Sequence, residues 1–417
     1  MDLEAIRQQV KNLLKANTTS GYSAFLKRRY SYIAPDVKKY PYQWFWDTCF
    51  HAFILCELGE YEIAKENIYS LFAKQEENGF VGHMLFWNKY FPRYILEVLQ
   101  VKPTLRHIRP SMTSLIQPTF VAQVVLRIYE GTKDKVFVEE LLPKIKKYMD
   151  WLAENRDFQG DGLLSIISPF ESGMDWKPSF DSVVGFRHGR ADKSLYRKVM
   201  WRELKNFLYR YDLKKIAKAH YFLVKEVGLN TIYAQDLQAL EKLCTLFDDE
   251  DGKKYKDRFE KVSKSILEKM YDPTSAAFYD LESVTGRQLK VLTGTIFFPI
   301  VLPNVSEDIA KEIITKHLFN PKEFATPYPI PSTALSELSF YPFQSDYLWR
   351  GPTWAVFNWF IYHSLKERGY TAEAKILKKS LQELIEKSGF REYYHPMTGE
   401  GYGAKEFTWT GLILDMT

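Results

Sequence analysis

The stretch Leu3-Glu4-Ala5-Ile6-Arg7-Gln8-Gln9-Val10-Lys11-Asn12-Leu13-Leu14-Lys15-Ala16-Asn17 spaces Leu3, Ile6, Val10, Leu13 and Leu14 so that they share one side of an α-helix. The charged and amide side chains fall on the other side. The same period returns at 46–59, 60–76, 117–131, 136–155, 195–224, 231–247, 252–270, 307–318, 353–368, 372–388 and 407–416. Gly79, Gly131, Gly369 and Gly389 follow several of these stretches, where glycine can take the left-handed conformation that ends a helix. Strand signals are few: short aromatic pieces near 164–168, 277–281 and 391–395, each beside Gly or Pro. About twelve helices joined by short turns make antiparallel hairpins, and successive hairpins can close into a two-layered ring. The expected architecture is all-α, an (α/α)6 toroid of six helical hairpins, because no repeat at a fixed period supports an α-solenoid. No linker-like segment divides the chain, so residues 1–417 are expected to form a single catalytic domain.

The aromatic, Gly- and Pro-rich stretches at 30–46, 78–118, 156–194, 320–352 and 390–407 lie between the helices. In a closed ring such loops gather at one end and can line a shared pocket. Aromatic residues make up 16% of the chain, with 10 Trp and 27 Tyr, and many stand beside Gly, Pro and acidic residues. Such rings either fill a helical core or stack on the apolar C–H faces of sugars. The net charge of +5 comes from 57 basic and 52 acidic residues, well mixed, which gives no nucleic-acid footprint. No apolar run is long enough to cross a bilayer, and the N-terminus reads as an amphipathic helix rather than a signal peptide. Cys49, Cys56 and Cys244 suit a reducing compartment, with no zinc spacing. A cytoplasmic protein with no metal, no cofactor and no membrane partner is expected; assembly into a homo-oligomer stays open.

Four constellations could carry chemistry. In Ser168-Pro169-Phe170-Glu171-Ser172-Gly173-Met174-Asp175-Trp176, two carboxylates stand four apart in a loop with an aromatic neighbour. Glycoside hydrolysis needs one carboxylic acid kept protonated near neutral pH, and an adjacent Trp176 could desolvate it; an acidic turn with Asp175 capping a helix is the lesser alternative. In Phe390-Arg391-Glu392-Tyr393-Tyr394-His395-Pro396-Met397-Thr398-Gly399-Glu400-Gly401-Tyr402-Gly403, alternating glycines permit a tight backbone path, and Glu392 could activate water. A polar hairpin closing the fold would also collect these residues. Tyr40-Pro41-Tyr42-Gln43-Trp44-Phe45-Trp46-Asp47 joins large aromatics to Gln43 and Asp47, a stacking platform or the start of a buried helix. Tyr347-Leu348-Trp349-Arg350-Gly351-Pro352-Thr353-Trp354 offers Arg350 to a carboxylate or a substrate. Gln117-Pro118 and the segment Gln75 to His83 are weaker polar candidates, and His83 and His395 read as structural.

In order along most of the chain, these elements resemble glycoside hydrolase family 63 and its trehalase-like relatives. The resemblance is carried by Gln43-Trp44-Phe45-Trp46-Asp47, Gln75 through Gly79, Ile116-Gln117-Pro118, Glu171-Ser172-Gly173-Met174-Asp175, Tyr347 through Trp354, and Glu392-Tyr393-Tyr394 with Pro396, Thr398, Gly399, Gly401, Phe407 and Trp409. A chain with room for the toroid alone looks most like the mannosylglycerate and glucosylglycerate hydrolase branch. The resemblance implies an (α/α)6 barrel and an inverting mechanism, with Asp175 as general acid and Glu392 as general base, their carboxyls about 6.5–9.5 Å apart. It further implies a sugar subsite built from Trp44, Trp46, Asp47, Gln117, Trp349, Arg350, Gly351 and Trp354. Tyr42, Glu171, Gly173, Trp176 and Trp409 join it as substrate-binding candidates. Many relatives carry Asn directly after the acid, whereas this chain has Trp176 and then Lys177.

The expected substrate is a small α-glycoside, α-mannosylglycerate or α-glucosylglycerate, cleaved to free sugar and glycerate. A glycerate carboxylate needs a cation, for which Arg187, His188 and Arg190 are candidates by proximity to the acid loop. An α-glucosidase or trehalase-like hydrolase of short oligosaccharides is the alternative enzyme, and a non-catalytic helical binding protein the alternative of another class. Glu171, Glu400 and Glu406 are the other carboxylates that could serve as acid or base.

Overall fold

The computed structural model describes residues 3–24, 27–87 and 111–417. The part of the 78–118 loop between 88 and 110 lies outside the described residues. Among those described, the α-helices run α1 Leu3–Ala16, α2 Phe45–Leu58, α3 Tyr61–Phe72, α4 Val121–Thr132, α5 Lys135–Arg156 and α6 Lys193–Leu208. They continue with α7 Leu213–Ala219, α8 Val227–Leu246, α9 Gly252–Ser265, α10 Glu307–Ile313, α11 Ala355–Glu367 and α12 Thr371–Ser388. The protein is mostly helical, with a few small sheets.

The helices sort into two kinds by what their sequences can face. α2 is buried without a break from Phe45 to Cys56, and α8 and α11 are buried along most of their length. A helix that is apolar all round must be enclosed by others. α12 instead buries one stripe, Ala374, Leu377, Leu381, Leu384 and Ile385, and α9 buries only a few residues of its surface. Each enclosed helix packs on a more exposed neighbour in the chain: α2 on α3, α8 on α9, α11 on α12. The first and last described segments also meet. Ile6 and Val10 of α1 are fully buried, and α1 packs on the 3-10 turns Thr408–Asp415. Gly411 makes that contact possible, since a Cβ there would stand 3.0 Å from Val10 and 3.2 Å from Ile54.

Several boundaries differ from the periodic reading. The helix expected over 195–224 breaks after α6, because Arg210 and Tyr211 take left-handed conformations and Asp212 starts α7 by accepting from the Lys215 backbone N–H. Glu226 caps α8 earlier than the apolar pattern suggested. The last turns at 266–270 and 314–318 widen to π-helix, and the 407–416 helix is 3-10. Gly294–Val301 is an unexpected 3-10 run, buried throughout and therefore without a readable period. The pieces near 277–281 and 391–395 do form strands: β7 Ala277–Phe278, β8 Asp280–Glu282 and β10 Arg391–Tyr394. Near 164–168 only an isolated bridge forms, Ile166 with Val224. The hairpin of β1 Thr18–Ser23 and β2 Arg28–Ile33 was not anticipated. The remaining strands are β3 Gln43–Trp44, β4 Met84–Leu85, β5 Val224–Lys225, β6 Tyr271–Asp272, β9 Gln288–Leu289 and β11 Gly401–Lys405. None of the described helices is long and apolar enough to cross a membrane.

Candidate active site

One cleft collects residues from all four sequence constellations. Pro35, Tyr40, Trp44, Trp46, Asp47, Gln117, Gly173, Asp175, Leu348, Trp349, Trp354, Glu392, Phe407 and Trp409 line it, and it holds ≈ 460 Å³ including its open mouth. That is ample for a small-molecule site.

The loop carrying Asp175 is pinned on both sides by buried charge. Upstream, Glu171 receives both guanidinium nitrogens of Arg156, at 2.8 and 2.5 Å, and the backbone N–H groups of Ile116 and Ile167, at 3.0 and 2.7 Å. Both side chains of this pair are fully buried. Gly173 follows at φ +73°, with the Trp46 ring 2.4 Å from where a Cβ would sit; only glycine fits there. Downstream, buried Lys177 donates to Glu226, to Asp280 at 2.9 Å and to Thr295 at 2.9 Å. Asp175 sits between these two anchors, on the cleft wall.

Glu392 comes from the late hairpin. β10 pairs with β11, and the register shifts between Arg391 and Tyr393. A bulge there re-aims the intervening side chain. The Ala404 N–H and the Lys39 ammonium each donate to Oε2 at 2.8 Å, and the Tyr40 hydroxyl donates to Oε1 at 2.8 Å. Gly403, at φ +70°, lets the partner strand approach, since a Cβ would lie 2.5 Å from Oε2. Burial, then the charge of Glu392, pushes the Tyr40 phenol well above its ordinary range.

The remaining wall is aromatic with a few polar points. Trp349 stacks on Trp354 at 3.8 Å between ring centroids, and it does so from a left-handed backbone, φ 65°, a conformation that costs a non-glycine residue and recurs at functional sites. Trp409 meets Trp46 and Trp354 edge-on. The indole N–H groups of Trp44 and Trp354 and Oδ1 of Asp47 have no hydrogen-bond partner among the described residues. Asp47 is buried at the start of α2, and that burial pushes its carboxyl up to about 8. Gln117 accepts from the Trp46 backbone N–H at 3.2 Å.

Five residues expected to touch substrate stand off the cleft lining. Glu171 is consumed by Arg156. Arg350 forms a bidentate pair with Asp181, at 3.0 and 2.6 Å, and donates to the carbonyls of Trp176 and Gly189. Trp176 packs among Phe170, Tyr196 and Tyr347, and Tyr42 packs edge-on against Phe86. Gly351, at φ +144°, is pressed against Phe340 and Pro342. These residues shape the loops behind the wall. Arg187, His188 and Arg190 do not line the cleft either. His188 pairs with Glu337 at 3.0 Å, and Arg190 lies over the Tyr341 ring. Glu400 is engaged by the Tyr402 hydroxyl at 2.8 Å. Conversely, Pro35, Tyr40, Leu348 and Phe407 line the cleft without having been singled out as substrate contacts. Lys39 gave no signal beyond following Asp36, a frequent turn starter. Among the described residues no cluster of His, Cys, Asp and Glu could hold a metal ion.

The family described as mannosylglycerate hydrolase MGH1-like glycoside hydrolase domain matches residues 40–410. The mannosylglycerate hydrolase of Rubrobacter radiotolerans is 27% identical over 444 residues, covering 99% of this chain and 96% of that one. The glucosylglycerate hydrolase of Mycolicibacterium hassiacum is 27% identical over 90% of this chain and 92% of its own. The crystal structure of the family 63 mannosylglycerate hydrolase from Thermus thermophilus, in complex with Tris and D-glycerate, matches with a TM-score of 0.84 and 26% identity over 99% of each chain. A match spanning nearly every helix and both carboxylate-bearing loops places the chain in the MGH1-like glycoside hydrolases of family 63, and it is a glycosidase.

Proposed function

We propose that this glycosidase hydrolyses α-mannosylglycerate or α-glucosylglycerate with inversion, releasing free sugar and glycerate. The observation that carries the reading is one cleft holding both Asp175 and Glu392, with Glu392 already bound by three donors. A carboxylate offers about four lone-pair positions, so one stays open for a water molecule. Glu392 takes a proton from that water as its oxygen bonds to the anomeric carbon. Asp175 gives its proton to the departing glycosidic oxygen on the other face, and glycerate leaves with an intact hydroxyl. Exchange with solvent then restores the acid and the base.

Asp47, Gln117 and the free indole N–H groups supply polar partners for sugar hydroxyls, while the tryptophans offer faces to its C–H groups. The alternation of enclosed and exposed helices, with α1 seated on the last turns, supports closure as an (α/α)6 toroid in one domain. Three buried, unbridged cysteines favour a reducing, cytoplasmic setting.

The test combines two carboxylate variants with two leaving groups. Asp175→Asn and Glu392→Gln should each lower turnover of the glycerate glycoside by about two or more orders of magnitude. An α-glycosyl fluoride needs no proton to depart, so it should restore rate to the Asp175 variant and not to the Glu392 variant. NMR of the first product should show the β-anomer. Hydrolysis confined to trehalose or maltooligosaccharides would overturn the substrate assignment.

A further inference from the structure

We infer that Lys39 is a positioning residue for the base: Lys39 and Tyr40, consecutive in one turn, clamp the two oxygens of Glu392 and aim its open lone pair at the attacking water. The inference rests on the reading of Glu392 as base. The turn is built rigidly. Asp36 Oδ1 accepts from the Lys38 and Lys39 backbone N–H groups at 2.6 and 3.0 Å, and the Tyr40 N–H closes on the Asp36 carbonyl at 2.8 Å. The Val37 N–H donates to Asn17 Oδ1 at 3.0 Å, tying the turn to the end of α1. From this base the Lys39 ammonium reaches Oε2, passing 4.9 Å from the Tyr40 ring centroid, and the Tyr40 hydroxyl reaches Oε1.

The Lys39 side chain is 48% exposed whereas that of Glu392 is 3% exposed. A half-exposed ion pair contributes little to folding. Its geometric effect is larger, because the last torsion of a glutamate has broad wells and Lys39 is the one cation among the three donors that hold this carboxylate. Removing the ammonium leaves two neutral donors, the Tyr40 hydroxyl on Oε1 and the Ala404 N–H on Oε2, and widens the range over which the carboxylate turns about the line of attack.

Lys39→Met and Lys39→Arg are compared on the glycerate glycoside and on a 4-nitrophenyl glycoside of the same sugar, whose aglycone has no carboxylate. Lys39→Met should lower kcat by about tenfold on both substrates, as for loss of a charge-assisted contact, with KM and melting temperature nearly unchanged. Lys39→Arg should recover most of the rate. The inference is overturned if kcat is unaffected. It is equally overturned if the loss is confined to KM for the glycerate substrate, which would make Lys39 a reader of the aglycone, or if Lys39→Arg recovers nothing while the melting temperature falls. Glu392→Gln in the same series keeps the two readings apart: near-full rate there rejects the base itself, whereas an inactive Glu392→Gln beside a normal Lys39→Met rejects only the clamp.

Discussion

Asp47→Asn should make the unliganded protein more stable near neutral pH while removing much of its activity. Asp47 is 3% exposed, its Oδ1 has no partner among the described residues, and burial pushes its carboxyl up to about 8, with the charge of Glu392 adding to the effect. An unfolded aspartate titrates near about 3.9. Between those values the folded protein keeps a proton that the unfolded chain has released. Stability from this group is thus complete below about pH 4, falls by about 1.4 kcal/mol per pH unit, and is gone above about pH 8. At pH 7 the accumulated penalty is at most about 4 kcal/mol. Asparagine cannot ionise and escapes it, but its amide brings a buried donor costing about 1–3 kcal/mol. The net gain near pH 7 is therefore about 1–3 kcal/mol.

Urea unfolding of both proteins, near pH 5 and near pH 7.5, measures the difference directly. The advantage of the variant should grow between those conditions, by at most about 3 kcal/mol. Parallel curves at both pH values would refute the claim that Asp47 is a buried, desolvated carboxyl. The same variant should lose about tenfold to a hundredfold in kcat/KM, the scale of a hydrogen bond to a charged acceptor. Unchanged kcat/KM would remove Asp47 from the sugar subsite.

Glu171→Gln should destabilise the protein by about 3–5 kcal/mol in urea unfolding, because it leaves the fully buried Arg156 guanidinium uncompensated. Gly403→Ala should cut kcat by about a hundredfold, the scale of a 1 Å misplacement, since the new methyl would displace Oε2 of Glu392; a steady-state assay beside a thermal melt checks it. The carboxylate of Asp181, 3.6 Å from Nδ1, and then that of Glu337, which accepts from Nε2 at 3.0 Å, raise His188 to about 9, so its contribution is complete below about pH 6.5 and vanishes as pH climbs through about 9. Melting curves of wild type and His188→Gln should therefore converge over that interval.

The helices were legible where a helix has one wet side. α1 and α12 announce themselves by period, and their limits fall within a few residues of the expected ones. The 294–301 run could not be read that way, because a segment buried on every side has no phase. The break between α6 and α7 turns on the backbone of Arg210 and Tyr211, two residue types with no special preference for left-handed conformations. At the site, Trp44, Trp46, Asp47, Asp175 and Glu392 stood out because large aromatics and carboxylates set outside the apolar stripes break the helical period, and all five line one cleft. Arg350 and Glu171, expected at the substrate, stand off the cleft lining for a physical reason. A charged side chain in such a loop reads the same whether its partner is a substrate or a buried counter-charge, and only coordinates place Asp181 or Arg156 against it.

Those buried counter-charges bear on how a loop of irregular structure can hold the proposed acid, Asp175, in place. Desolvating a pair such as Arg156–Glu171 or Lys177–Asp280 costs much of what its attraction returns, and apolar residues of similar volume often do as well or better for stability. Their geometry is what an apolar core lacks. Glu171 fixes the backbone of Ile116 and Ile167 by direct hydrogen bonds, and Lys177 ties the residue after Trp176 to Glu226 at the cap of α8 and to Asp280 on β8. The loop bearing Asp175 is thereby tied from both directions to other parts of the fold. Glu392 is fixed by another device, a strand bulge with a glycine opposite and a turn that grips both its oxygens. The loop of the proposed acid is thus tied through Glu171 and Lys177 on either side of it, and the proposed base is gripped directly at both carboxylate oxygens.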